Sequence, residues 1–124
     1  MTRTMKITVS NLTASSLVRT SCHLKHGKWT DGEEPTLVIK PGEKGFINSQ
    51  KQTGAGYGSE GYCTYVIVDN GTHPTLEVSW SKPYGSGPSF VKEAMQSGTP
   101  YTTTVETLLD TTENFEALVT VKGK

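Results

Sequence analysis

The sequence predicts an all-β protein, an antiparallel β-sandwich of eight to nine short strands. Three observations carry this. Apolar and polar residues alternate in short runs, and no run keeps a helical period for three turns. Nineteen threonines supply branched side chains, which suit a pleated strand better than a helix. Thirteen glycines and six prolines interrupt the chain often, leaving short strands between turns. At 124 residues there is material for one core, so residues 1–124 are expected to form a single domain.

Taken in order, residues 5–12 place Met5, Ile7 and Val9 on one face and Lys6, Thr8 and Ser10 on the other, a half-buried strand. After a turn over 11–15, residues 17–25 make a second strand, with Val18, Thr20, Cys22 and Leu24 on one face. Gly27-Lys28-Trp29 leaves it, and 30–35 form a polar loop. A short strand over 36–39 stops at Lys40-Pro41-Gly42-Glu43, where Pro then Gly suits a type II turn. Residues 44–49 resume as a strand. Residues 50–61 hold Gly54, Gly56, Gly58 and Gly61, a stretch able to approach a ligand closely.

Residues 62–69 carry apolar bulk on both faces, with Cys63, Tyr65 and Ile67 opposite Tyr62, Val66 and Val68, which predicts a central strand. Asn70-Gly71 signals a tight hairpin. Residues 75–81 return with Leu76, Val78 and Trp80 inward, and 82–89 form a loop. Residues 90–96 fit a weak strand or one helical turn. Residues 101–109 and 114–121 are two more strands, the last alternating Phe115, Ala117, Val119 and Val121.

Composition narrows the function. Twelve basic residues balance twelve acidic ones, which argues against nucleic acid and against anionic membranes held by charge alone. No apolar run is long enough for a transmembrane helix, and residues 1–10 lack the apolar region of a secretory signal. Without such a signal, Cys22 and Cys63 are expected to be unpaired, buried thiols. Together with His23, His26 and His73 they show no zinc-ligand spacing, so no metal is expected.

The signs of catalysis are weak. Glu33 and Glu34 lie in an exposed loop, and Cys22 and His23, as strand neighbours, point to opposite faces. Gly54-Ala55-Gly56-Tyr57-Gly58 lacks the following helix and the Lys-Ser/Thr pair of a phosphate cradle. The expectation is a non-enzyme without a cofactor. An immunoglobulin domain fits poorly, since Trp29 follows Cys22 too soon and Gly61 stands where a tyrosine should precede Cys63.

What remains is Gly58-Ser59-Glu60-Gly61 and Trp80-Ser81-Lys82-Pro83-Tyr84-Gly85-Ser86. Aromatic rings on a rigid turn suit a surface that grips a lipid head group, a glycan or another protein. The same pattern also describes a plain hairpin end with a tryptophan in the core. For a net-neutral chain, interfacial aromatics would have to supply membrane binding. Tyr84 at the tip of loop 82–89 and Tyr57 in the glycine-rich loop are the candidates, with the region of Trp29 as the alternative location.

These motifs, with Ile7-Thr8-Val9-Ser10-Asn11-Leu12-Thr13, Gly27-Lys28-Trp29, Ile39-Lys40-Pro41-Gly42-Glu43 and Phe46, follow an order and spacing that resembles the aegerolysin superfamily. The likeness runs from Lys6 to Val121 and is strongest to the small component of bacterial binary insecticidal crystal toxins. The Ser81-Lys82-Pro83-Tyr84 turn is also similar to actinoporin-type cytolysins, where Ser, Pro and Tyr line a phosphocholine site.

The resemblance implies a membrane-lipid-binding toxin component that acts with a larger pore-forming partner protein on target-cell membranes. Sphingolipid head groups are the implied ligands. Trp80, Ser81, Pro83 and Tyr84 are the implied contacts, and Lys82, where many aegerolysins carry Cys, implies a different head-group preference. Actinoporins place an amphipathic helix before the sandwich. Only six residues precede Ile7, so pore formation by this chain alone is not expected. The same reading has the protein made in the cytoplasm, as a crystal inclusion in the toxin case, and acting extracellularly. Self-association stays open. The alternative function is a glycan-binding lectin on an actinoporin-like sandwich.

Overall fold

Alternation builds both halves of the core. The computed structural model describes residues 3–124. β1 (Thr4–Asn11) buries Met5, Ile7 and Val9. β10 (Asn114–Gly123) buries Phe115, Ala117, Val119 and Val121. They are neighbours in a first sheet with β9 (Tyr101–Asp110), β5 (Lys44–Gln50) and the two-residue β3 (Lys28–Trp29), in the order β3-β5-β1-β10-β9.

The second sheet holds β4 (Val38–Ile39), β2 (Ser16–His26), β6 (Ser59–Val68), β7 (Thr75–Lys82) and β8 (Phe90–Met95), in the order β4-β2-β6-β7-β8. Its inward face carries Leu17, Cys63, Tyr65, Ile67, Leu76, Val78 and Trp80, all essentially without solvent contact. Each such aliphatic side chain contributes on the order of 1.5–3 kcal/mol by leaving water. β6 is central, as its two-faced apolar pattern predicts.

The β-sandwich is therefore as expected, with two differences. There are ten strands among the described residues: the strand expected over 36–39 is the two-residue β4, and β3 is an added two-residue edge pairing too short to leave a period in the sequence. The ladder between β1 and β10 is parallel, while every other pairing is antiparallel. Alternation reads the same in either direction, so it carries no information on strand polarity.

Other expectations change with the register. In β2, Arg19 opposes Tyr65 and Ser21 opposes Thr64, so Thr20 is an extra residue. This bulge reverses the facing of the residues up to Leu24, where a second register shift before His26 reverses it again. Leu17 is inward before it, and Cys22 and Leu24 pack against the core after it, so Val18 and Thr20 do not share their face. Residues 90–95 resolve as a strand. The Lys40–Glu43 turn closes through Glu43 N–H to Lys40 O at 3.0 Å, with Gly42 at φ 80° as the type II geometry requires.

The hairpin at Asn70-Gly71 is not a tight two-residue turn. Gly71 lacks positive φ, and the left-handed residue is His73 at φ 47°. A longer loop over 69–74 closes instead, with Ile67 N–H donating to Pro74 O at 2.9 Å.

The cysteine expectation is overturned. Cys22 and Cys63 stand opposite each other on β2 and β6 with Cα atoms 4.1 Å apart, and they form a disulfide. Compartment reasoning from the N-terminus says nothing about distance. The register set by the bulge decides it.

Candidate functional site

β6 begins at Ser59 directly opposite Lys82, where β7 ends. The chain entering β6 and the chain leaving β7 therefore meet at one end of the sandwich. Loop 51–58 and loop 83–89 close around a pocket of about 240 Å³ lined by His26, Tyr57, Glu60, Ser81, Pro83 and Tyr84 among others.

Gly58 makes this meeting possible. A Cβ there would run into the Lys82 carbonyl oxygen and press on the carbonyl carbon of Pro83. Only glycine allows the backbones so close, and the contact places Tyr57 on one wall of the pocket. The Tyr57 ring is 61% exposed and stacks on His26, with centroids 4.0 Å apart and planes within 5°. Glu60 lies beside them, with its carboxylate 3.9 Å from the Lys25 ammonium, a solvent-exposed pair of little strength.

Tyr84 forms the facing wall and is 40% exposed. Two cations approach its ring: the Arg3 guanidinium at 5.2 Å and the Lys51 ammonium at 4.8 Å from the centroid. Arg3 also donates from Nε to Tyr84 O at 3.2 Å and from Nη1 to Glu113 Oε1 at 2.7 Å. The loop tip is thus pinned to the residue just before β1 and, through it, to the β9–β10 turn.

Lys82 departs from its expected place in the loop. It is the last residue of β7, faces inward and is buried. Its Nζ donates to Thr111 O at 2.6 Å, a charge-assisted tie between the start of loop 83–89 and the β9–β10 turn. The ammonium holds the loop rather than presenting itself at the pocket mouth.

Trp80 is 1% exposed. Its Nε1–H donates to Ser59 Oγ at 3.2 Å, and the Ser59 and Ser49 hydroxyls bond to each other across the two sheets. Gly61 gives the indole its space, since a Cβ at that position would lie 3.0 Å from Trp80 Cζ2 and against the His23 carbonyl oxygen. Trp29, half-buried in the first sheet, approaches it with ring centroids 6.1 Å apart. The two tryptophans join the sheets beneath the pocket.

Four of the six expected residues, Tyr57, Ser81, Pro83 and Tyr84, therefore come together. Trp80 supports them from the core. Trp29 borders a separate shallow hollow with Lys28, Asp31 and Gln50. The sequence reading missed His26, Arg3 and Lys51. No local pattern marks them, because each reaches the site through pairing with distant chain. The assembled pocket offers two phenol rings, cations behind one and a carboxylate near the other, a setting for a small polar group of mixed charge.

No protein-family model matches the chain, and no curated protein matches it in sequence. Solved structures do match in shape. The lipid binding protein Nakanori superposes with a TM-score of 0.81 at 16% identity, covering 98% of this chain and 71% of that one. The RahU protein in complex with a TRIS molecule gives 0.74 at 17% identity, covering 98% and 95%. IP-1A from Alcaligenes faecalis gives 0.73 at 20%, covering 98% and 91%. At these identities the likeness shows the fold alone, a β-sandwich shared with these three structures.

Proposed function

We propose that the chain binds membrane lipid, taking a polar head group into the pocket between Tyr57 and Tyr84. The observation that carries this is the convergence of two exposed tyrosines on one pocket at one end of the sandwich. A tyrosine has an apolar body and a polar tip, which suits the head-group layer. A chain with twelve charges of each sign has no net charge with which to hold a membrane. The lipid-binding name of one structural neighbour supports the reading.

The finer reading is a toxin component that needs a larger partner protein to permeabilise the membrane, with a sphingolipid as the head-group source. The sequence resemblance supports this. No helix among the described residues is long and apolar enough to cross a membrane.

Co-sedimentation with sphingomyelin-containing vesicles tests the lipid reading. Tyr84→Ala should lower binding by about tenfold or more while the thermal midpoint holds, tenfold corresponding to about 1.4 kcal/mol. Unchanged binding would move the site, with the hollow at Trp29 next to be tested. Dye release from the same vesicles tests the two-component reading. The isolated chain should release little, and rapid release would overturn the need for a partner.

A further inference from the structure

The solvent face of the second sheet carries a trough that the lipid reading does not use. It runs along β7 and is floored by Ser79. Register sets its walls. Tyr62 of β6 and Lys92 of β8 stand opposite Ser79 on its two sides, and Glu60 and Phe90 stand opposite Ser81 one step along. Neighbouring strands lie about 4.8 Å apart, so the two walls are about 10 Å apart, the width of a single ring-sized ligand lying over the small serine.

We infer that this trough is a saccharide-binding site for a neutral pyranose unit or a short chain of them. The volume of about 380 Å³ falls in the range of small-molecule sites, about 300–1,000 Å³. One wall is the Tyr62 ring, 38% exposed and braced by the His23 ring 5.9 Å away. The other is Phe90 with the Lys92 ammonium 4.7 Å from its ring centre. Aromatic faces of this kind receive the C–H face of a sugar.

Charge selects against the other ligands. Lys25 and Lys92 oppose Glu60 and Glu77 around the rim, two of each sign, so neither an anion nor a cation is favoured. A purely apolar ligand would strip water from four charged groups without replacing their hydrogen bonds. A neutral polyol satisfies both demands, with hydroxyls that donate to the carboxylates and accept from the ammonium groups.

Glu60 also lines the loop pocket, so the two hollows are neighbours. The sugar could come from a free or protein-borne glycan or from a glycolipid head group. The saccharide site itself does not depend on the lipid proposal.

The test is an array of neutral glycans, followed by titration of any hit and by co-sedimentation with lactosylceramide vesicles. Wild-type protein should bind at least one neutral saccharide, and Tyr62→Ala should weaken that binding about tenfold or more. Glu77→Gln should weaken it less. Tyr84→Ala should leave binding to free glycan unchanged, which separates this site from the loop pocket. Binding to the array identifies a glycan receptor. Binding to the vesicles alone, lost in Tyr62→Ala, identifies a glycolipid. Absence of neutral-saccharide binding in both formats would overturn the proposal. So would binding that survives both Tyr62→Ala and Lys92→Ala. The thermal midpoint of each variant shows that the sheet is intact.

Discussion

The two ends of the β6–β7 pair treat their loops in opposite ways. At the Val68/Thr75 end, the polar groups of loop 69–74 are engaged within the loop and by Tyr101 of β9. Asp69 Oδ1 accepts from the backbone N–H of Gly71 and of His73, each at 3.1 Å, and Oδ2 accepts from Tyr101 Oη–H at 3.0 Å. The His73 N–H bond above all holds the Asp69 carboxyl below the usual carboxylate range. At the Ser59/Lys82 end the loops are held from beneath, by the close approach at Gly58, the Lys82 tie to Thr111 and the Trp80–Ser59 bond. Tyr57 and Tyr84 are left exposed above that frame. Where buried groups fix a loop, its exposed side chains are free to serve binding.

The comparison breaks most readily at Trp80. If it belongs to the frame, Trp80→Ala should cost about 3–5 kcal/mol, read by thermal or denaturant unfolding. A variant of unchanged midpoint that no longer binds vesicles would place Trp80 in the site instead.

The disulfide is the next largest effect. It closes residues 41 apart in sequence, for which the chain-entropy estimate is about 4 kcal/mol. Cys63→Ser should lower stability by that order, and in the wild-type protein a thiol reagent should find no free thiol even in denaturant. Titration of two thiols there would remove the disulfide from the frame.

Tyr65 sharpens the picture further. Burial pushes its phenol up to about 12, with the Arg19 charge opposing, and its hydroxyl donates to Thr36 O at 2.7 Å. The folded state therefore keeps this proton after the unfolded state has lost it. The contribution is complete below pH 10, falls as pH rises, and is gone above about 12. About 2–3 kcal/mol should be lost across that window. In Tyr65→Phe the fall over the same range should be shallower by that amount, and an identical slope would refute the assignment.

The smallest expected effect lies in the loops. Tyr57→Ala and Tyr84→Ala should each change stability by only about 0.5 kcal/mol, the range of ordinary surface substitutions. A loss of several kcal/mol in either would return that ring to the frame and erase the contrast between the two ends.

Much of this is legible in the chain because strand periodicity is local. Side chains two residues apart share a face, so β1, β7 and β10 declare their buried residues, and Trp80 is inward by counting from Leu76. Pro41-Gly42 names its turn for an equally local reason, the fixed φ of one residue and the positive φ of the other. The meeting of Tyr57 and Tyr84 is half legible, since it follows once the strands that their loops flank are known to pair.

The rest depends on which strand lies beside which, and in what register. One extra residue at Thr20 decides that Cys22 faces the core opposite Cys63. The parallel β1–β10 ladder brings the start of the chain to its end. Arg3 reaches Tyr84 across 81 residues of sequence. His26 joins Tyr57, and Lys82 turns inward to Thr111, by the same long-range packing. A strand's own residues encode its two faces, but its neighbours are chosen by the free energy of the whole core. The sequence alone therefore determined the sandwich and its buried stripes, and the tertiary structure alone decided the disulfide, the strand polarity and the charged setting of the pocket.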